Sequence, residues 1–76
     1  MQEREARLLK ESGDLEKVVI SRSADEKGWS MKLVAKNGDG QMLNSKRSKD
    51  PRVFKTSDAA LRCCQRIGVD VATVDL

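Results

Sequence analysis

The feature that most constrains the fold is a strand that runs directly into a tight turn near the middle of the chain. Apolar side chains alternate with mostly polar ones in the order Trp29, Ser30, Met31, Lys32, Leu33, Val34, Ala35 and Lys36. This period of two predicts a strand with one face on the core and the other mostly polar and positive. The next residues are Asn37, Gly38, Asp39 and Gly40, whose Asn-Gly and Asp-Gly steps favour the positive φ angles of a hairpin turn.

The remaining patterns extend this hairpin into an α+β fold. Good helix formers at residues 2–12 predict a short amino-terminal helix that ends at Gly13, and the β-branched run at residues 17–22 predicts a strand. A third strand is expected from residue 41 to about 46, resuming at 52–54. A second helix begins at the Thr56 cap cluster, and residues 69–76 form either a short fourth strand or a tail. We therefore predict a three-stranded antiparallel sheet packed by a carboxy-terminal helix, in the order α-βββ-α, with Trp29 anchoring the core.

The length of 76 residues indicates a single domain, with a helix at residues 1–13 and a sheet-plus-helix core at residues 14–76. Apolar residues make up 38% of the chain and charged residues 36%, so stability is expected to be marginal and a homodimer would add to it. The apolar runs are far shorter than a membrane span. The charged start lacks the apolar centre of a secretory signal, and we therefore expect a cytoplasmic protein.

Catalytic and metal chemistry have little support in this composition. The chain contains no His and no Tyr, which removes the commonest general base and zinc ligand, so we expect a non-enzymatic protein without a cofactor. Cys63 and Cys64 are neighbours and are expected to be reduced, half-buried core residues, since a zinc site would also need carboxylates or a partner subunit. Asp25, Glu26 and Asp39 lie in predicted turns, where backbone geometry accounts for them.

Positive charge is concentrated in the middle of the chain. The net charge is +3, and the two ends are close to neutral. Between residues 44 and 55 the basic side chains, opposed by Asp50 alone, are Lys46, Arg47, Lys49, Arg52 and Lys55. Two interpretations remain open, because such a loop either binds a polyanion or is a solvated connection that protects a sheet edge. Lys32 and Lys36 on the outward sheet face would extend the positive surface, which favours nucleic acid.

Duplex DNA is the favoured ligand of this surface. Loop side chains would contact phosphates, while the polar sheet face meets base edges in the major groove. Single strands are disfavoured because Trp29 and Phe54, the aromatic residues of the chain, are both expected in the core. The predicted nucleic-acid-binding residues are Ser30, Lys32, Lys36, Lys46, Arg47, Lys49, Arg52 and Lys55.

A resemblance to a known family also favours duplex DNA. The run from Trp29 through the Asn37-Gly38 turn to Phe54-Lys55-Thr56 and the helix at Ala59-Ala60 resembles the three-stranded-sheet-plus-helix DNA-binding domains of tyrosine recombinases. In those domains the sheet reads the major groove, which implicates Ser30, Lys32, Lys36 and Arg47 here. The order also matches double-stranded-RNA-binding domains, but Thr56-Ser57-Asp58 replaces their Lys-rich helix start.

The chain as a whole is similar to small accessory proteins encoded on plasmids beside partition or replication genes. The similarity lies in Arg4-Glu5-Ala6-Arg7, followed by Leu8-Leu9 and Glu11-Ser12-Gly13. It implies a role in plasmid maintenance, through contact with DNA or with a partition protein. The alternative function is therefore a protein-interaction module, such as a homodimeric adaptor that uses a sheet edge or the first helix.

Overall fold

The computed structural model describes residues 1–45 and 49–76, which form two helices and one sheet. In chain order the elements are α1 (Glu3–Glu11), β1 (Leu15–Arg22), β2 (Trp29–Ala35), β3 (Gly40–Met42), α2 (Ser57–Ile67) and β4 (Thr73–Asp75). The predicted α+β class is confirmed. Lys46 and Arg47, two of the predicted ligand-binding residues, lie outside the described residues.

The sheet has four strands in the order β3-β2-β1-β4, where three antiparallel strands were predicted. β1 pairs antiparallel with β2, placing Val18 opposite Leu33 and Ile20 opposite Met31. The additional strand, β4, pairs parallel with β1, so the sheet is mixed. The open question about residues 69–76 is thereby answered, because Thr73–Asp75 is a strand. β3 is shorter than predicted, and the return segment forms only isolated bridges, between Asn44 and Pro51 and between Trp29 and Phe54.

Local hydrogen bonds explain both turns of the antiparallel strands. In the β2–β3 turn, the Asn37 side chain accepts a hydrogen bond from the Asp39 amide at 2.9 Å, and Gly38 has φ +96°. In the β1–β2 loop, Asp25 accepts hydrogen bonds from the Ser23 hydroxyl at 2.6 Å and the Lys27 amide at 3.0 Å. The hydrogen bond from Ser23 is the main cause of a lowered pKa for Asp25. As the sequence indicated, these aspartates serve turn geometry.

The core lies between one face of the sheet and both helices. Its largest fully buried side chains are Ile20, Met31, Leu33, Leu43, Ile67, Val18 and Cys63. Ala6 of α1 and Ala60 of α2 complete the same cluster. The prediction that Trp29 anchors the core is wrong, because Trp29 is only partly buried at the start of β2. Its ring is instead covered by the guanidinium of Arg22, 4.8 Å from the ring centroid.

The two helices are held in different ways. α2 begins at Thr56, whose hydroxyl accepts a hydrogen bond from the Ala59 amide at 3.1 Å, and ends at Gly68 with φ +100°. It buries Ala60, Cys63, Cys64 and Ile67. In contrast, α1 buries only Ala6 completely. Since one alanine provides little apolar contact, polar interactions must contribute to the docking of α1.

Candidate nucleic-acid interface on the helix-free sheet face

The side of the sheet opposite the core is the first candidate surface, and no helix of the described chain packs on it. We call this side the helix-free face. Cross-strand pairing places on it, from β1 to β4, the side chains of Lys17, Val19, Ser21, Ser30, Lys32, Val34, Met42, Thr73 and Asp75. It therefore combines half-buried apolar side chains with short polar ones. Two lysines, on β1 and β2, provide its positive charge.

Lys32 is exposed at the middle of β2, and its side chain extends sideways over β3. A Cβ atom built on Gly40 would collide with the Cε of Lys32 and lie 3.3 Å from its Nζ. The glycine thus leaves room for the alkyl chain of Lys32, and the ammonium group is brought to the edge of the sheet. This confirms the predicted placement of Lys32 on the outward face.

Lys17 and Gly40 lie at opposite ends of one row of residues that runs across three strands. Lys17 is the register partner of Val34, and Val34 in turn pairs with Gly40 on β3. Neighbouring strands are about 4.8 Å apart, so the Cα atoms of Lys17 and Gly40 are about 10 Å apart. Lys17 and the end of Lys32 therefore flank Val34 from opposite sides. Sequence reasoning missed Lys17 because the strand pattern of residues 17–22 gave no register with β2.

Ser30 lies on the helix-free face as predicted, but it is buried. Only 7% of its surface is exposed. It lines a concavity of about 350 Å³ together with Ala24, Met42, Pro51 and Val53. A side chain this deeply buried has little surface to offer to a base edge, so the structure does not support direct readout by Ser30.

Three of the predicted lysines are exposed outside the strands. Lys36 follows β2, where its amide donates to the Asp14 carbonyl at 2.8 Å, and it lines a depression with Leu9 on the α1 side. Lys49 and Lys55 are exposed in the segment between β3 and α2. These lysines are available to a ligand, but Lys36 lies about 20 Å along the strand direction from Ser30. The predicted surface is therefore more dispersed than its sequence positions suggested.

Arg52 lies on the opposite side of the sheet from Lys32. Pro51 and Val53 line the concavity on the helix-free face, whereas Phe54 enters the core. The guanidinium of Arg52 lies 4.7 Å from the centroid of the Phe54 ring, and its Nη1 is 3.6 Å from a carboxylate oxygen of Glu3 in α1. The expectation of one continuous surface formed by the basic stretch and the sheet face is therefore wrong for Arg52.

Glu3 is the centre of an arginine cluster on the helix side. Glu3 forms three ion pairs with arginines, and the partners are Arg7 at 3.4 Å, Arg52 at 3.6 Å and Arg66 at 3.2 Å. Hydrogen bonding by Arg66 is the main reason that the pKa of Glu3 is lowered. Sequence analysis missed this cluster, for which the spacing of Glu3 and Arg7 by four positions was the one local signal.

The cysteines are free, as predicted, and they are buried where only partial burial was expected. Burial is the largest cause that raises the pKa of the Cys63 thiol, to about 11, and the hydrogen bond from its Sγ to Glu3 at 3.3 Å adds to the effect. Burial also raises the pKa of Cys64. Neither thiol has the lowered pKa of a nucleophile or metal ligand. Across residues 1–45 and 49–76, no group of His, Cys, Asp and Glu side chains is arranged to hold a metal ion.

Comparison with known proteins adds no relative: no family model matches the chain, and no curated protein or solved structure is significantly similar to it. Among the helices described, none is long and apolar enough to cross a membrane.

Proposed function

We propose that the protein binds duplex DNA through its helix-free sheet face, without catalysing a reaction on it. The observation that carries the proposal is the placement of Lys17 and Lys32 on an uncovered face, on either side of Val34. Ammonium groups on either side of an uncharged strand residue are suited to contact the phosphates of a duplex backbone. The resemblance to sheet-plus-helix DNA-binding domains supports the same face.

The β2–β3 ribbon is the part of this face that we place against the major groove. A two-stranded ribbon fits a groove about 12 Å wide, and the ribbon carries Lys32 over Gly40 at its outer edge. Lys17 on β1 then lies beside the ribbon, in position to contact the phosphates of the groove wall. In this arrangement the lysines position the protein, and the similarity to plasmid partition accessory proteins supports a role in plasmid maintenance.

The proposal is tested by measuring duplex affinity as a function of salt for Lys17→Ala, Lys32→Ala and the double variant. Each lost phosphate contact should weaken binding and reduce the slope of log K against log salt by about 1. Fluorescence anisotropy with a labelled duplex gives both quantities. The double variant is therefore expected to lose about 2 from the slope.

Lys27→Ala is the matched control, because Lys27 is an exposed lysine of the β1–β2 loop, outside the strands that carry Lys17 and Lys32. It removes the same charge and should leave the slope nearly unchanged. Circular dichroism would establish that all variants keep their secondary structure. The absence of duplex binding by the native protein at low salt, or equal losses in the double variant and the control, would refute the proposal.

A protein-interaction function is the second candidate, and the concavity beside β3 favours it. Met42, Pro51 and Val53 give this concavity apolar walls, and Val53 is 51% exposed. A partner could place an apolar side chain in this concavity. Val53→Ser should weaken such an interaction in a pull-down but leave duplex affinity unchanged, whereas the lysine variants should do the reverse.

A further inference from the structure

The arginine cluster on the helix side contains more hydrogen-bond donors than Glu3 can accept. Glu3 accepts two hydrogen bonds from Arg66, at 3.4 and 3.2 Å, one from Arg7 at 3.4 Å and one from the Cys63 thiol at 3.3 Å. A carboxylate has about four lone-pair sites, whereas each guanidinium carries five N–H donors. The acceptor capacity of Glu3 is therefore filled, and the three guanidinium groups carry more donors than this carboxylate can accept.

Arg52 is the clearest case of this excess. Its Nη1 lies 3.6 Å from Glu3, which is close enough for an ion pair but too long for a hydrogen bond. The guanidinium also lies over the Phe54 ring, 4.7 Å from the ring centroid. Neither of these two contacts is a hydrogen bond, so they leave the N–H donors of Arg52 available to an oxygen-rich ligand.

The charge and exposure of the cluster have the same consequence. Three arginines and one glutamate leave a net charge of about +2 on these four side chains. The side chains of Arg7 and Arg66 are each 49% exposed and that of Arg52 is 31% exposed, whereas Glu3 is only 16% exposed. Glu3 therefore lies beneath the arginines and holds them together, while their outer donors face solvent.

We infer that Arg7, Arg52 and Arg66 form a binding site for a phosphate group on the helix side of the protein. A tetrahedral oxyanion can accept hydrogen bonds from several guanidinium groups at once, and all three arginines lie within 3.6 Å of the Glu3 carboxylate and so close to one another. The phosphate belongs either to a small phosphomonoester or to a nucleic-acid backbone. The site is separate from Lys17 and Lys32, because the sheet lies between the two surfaces.

Inorganic phosphate is the probe for the first experiment. The Nε–Hε signals of arginines in a heteronuclear NMR spectrum report directly on guanidinium contacts. Titration with phosphate, against chloride at equal ionic strength, should shift the signals of Arg7, Arg52 and Arg66 with saturation in the millimolar range. The signal of Arg22 provides an internal reference, because the guanidinium of Arg22 lies over the Trp29 ring and is not part of the cluster. Equal shifts in all arginine signals, or no shift in the three, would overturn the inference.

Substitutions then identify the residues responsible. Arg52→Gln and Arg66→Gln should each weaken phosphate binding by about tenfold, and Lys27→Gln, which removes an exposed charge from the β1–β2 loop, should leave it unchanged. Arg52→Lys keeps the charge but loses the planar fork, so its binding should remain below that of the native protein. If Arg66→Gln destabilises the docking of α1, Arg52→Gln still decides the matter. Native affinity in Arg52→Gln would refute the site.

The same variants distinguish the two sources of phosphate. If Arg52→Gln also weakens duplex binding, the phosphate belongs to a nucleic-acid backbone; if duplex affinity is unchanged, the ligand is a small phosphate compound. The Lys17→Ala, Lys32→Ala double variant should retain phosphate binding in either case. The failure of duplex binding through Lys17 and Lys32 can therefore be distinguished from the failure of phosphate binding by the arginine cluster.

Discussion

Replacement of Glu3 by glutamine should destabilise the protein, because Glu3 joins α1 to α2 and to the segment after Pro51. The carboxylate pairs with Arg7, Arg52 and Arg66 at 3.2–3.6 Å. Exposed ion pairs contribute about 0.2–1 kcal/mol each. The arginines are partly exposed and glutamine can still accept hydrogen bonds, so we expect Glu3→Gln to lower the free energy of unfolding by about 1–2 kcal/mol in total.

The pH dependence of this effect has a definite sign. The pKa of Glu3 is lowered in the folded protein, mainly by the hydrogen bonds from Arg66. A carboxyl group whose folded pKa is depressed stabilises the protein above its unfolded pKa, and this contribution disappears as the pH falls through the folded pKa. The difference between native protein and Glu3→Gln should therefore be full at about pH 7 and should shrink steadily below about pH 4.5.

Urea denaturation followed by Trp29 fluorescence measures these free energies, since Trp29 is the single tryptophan and is partly buried. Glu11→Gln makes the same chemical change at an exposed site of α1 and should alter stability by less than about 0.5 kcal/mol. A double-mutant cycle with Arg66→Gln should give a coupling of about 0.5–1 kcal/mol. Zero coupling, or a loss in Glu3→Gln that persists at low pH, would refute the role assigned to Glu3.

Two further predictions concern the core and its edge. Gly28→Ala should destabilise the fold by about 1–3 kcal/mol in the same urea assay. The reason is that a Cβ at this position would lie 2.5 Å from Val53 Cγ1 and 2.6 Å from the Phe54 carbonyl oxygen. An unchanged denaturation midpoint would contradict this packing. The Cys63 thiol is buried and its pKa is raised to about 11. At about pH 8, Cys63 should therefore be alkylated far more slowly in the native protein than in urea, as measured by mass spectrometry. Equal rates of alkylation would show that the thiol is not enclosed.

The parts of the fold that could be predicted from sequence are those fixed by neighbours in the chain. The β2–β3 turn follows from Asn37 and Gly38, and the ends of α2 follow from Thr56 and Gly68, because each residue satisfies hydrogen bonds or a backbone angle within a few positions. β4 was left open because its three residues pair with Val19, Ile20 and Ser21, far away in sequence. Such a short strand is stabilised by its partner and not by its own pattern.

Trp29 illustrates a second limit of sequence reasoning. Its alternation with Met31 and Leu33 correctly placed it on the core side of β2, but periodicity assigns a face and not a depth. Trp29 is the first residue of the strand, so it lies at the end of the sheet, where it is only partly buried. The smaller Met31 and Leu33 occupy the centre, and Arg22 covers the ring of Trp29.

Arg52 shows why a cluster of charge in sequence need not be a cluster in space. The bridges between Asn44 and Pro51 and between Trp29 and Phe54 hold the return segment extended along the sheet edge, so successive side chains turn to opposite faces. Arg52 then meets Glu3 on the helix side, while Val53 lines the concavity on the other side. These pairings are non-local and cannot be read from the segment itself. Replacing the whole basic stretch at once would therefore alter both surfaces together, and only variants chosen by face can separate duplex binding from phosphate binding.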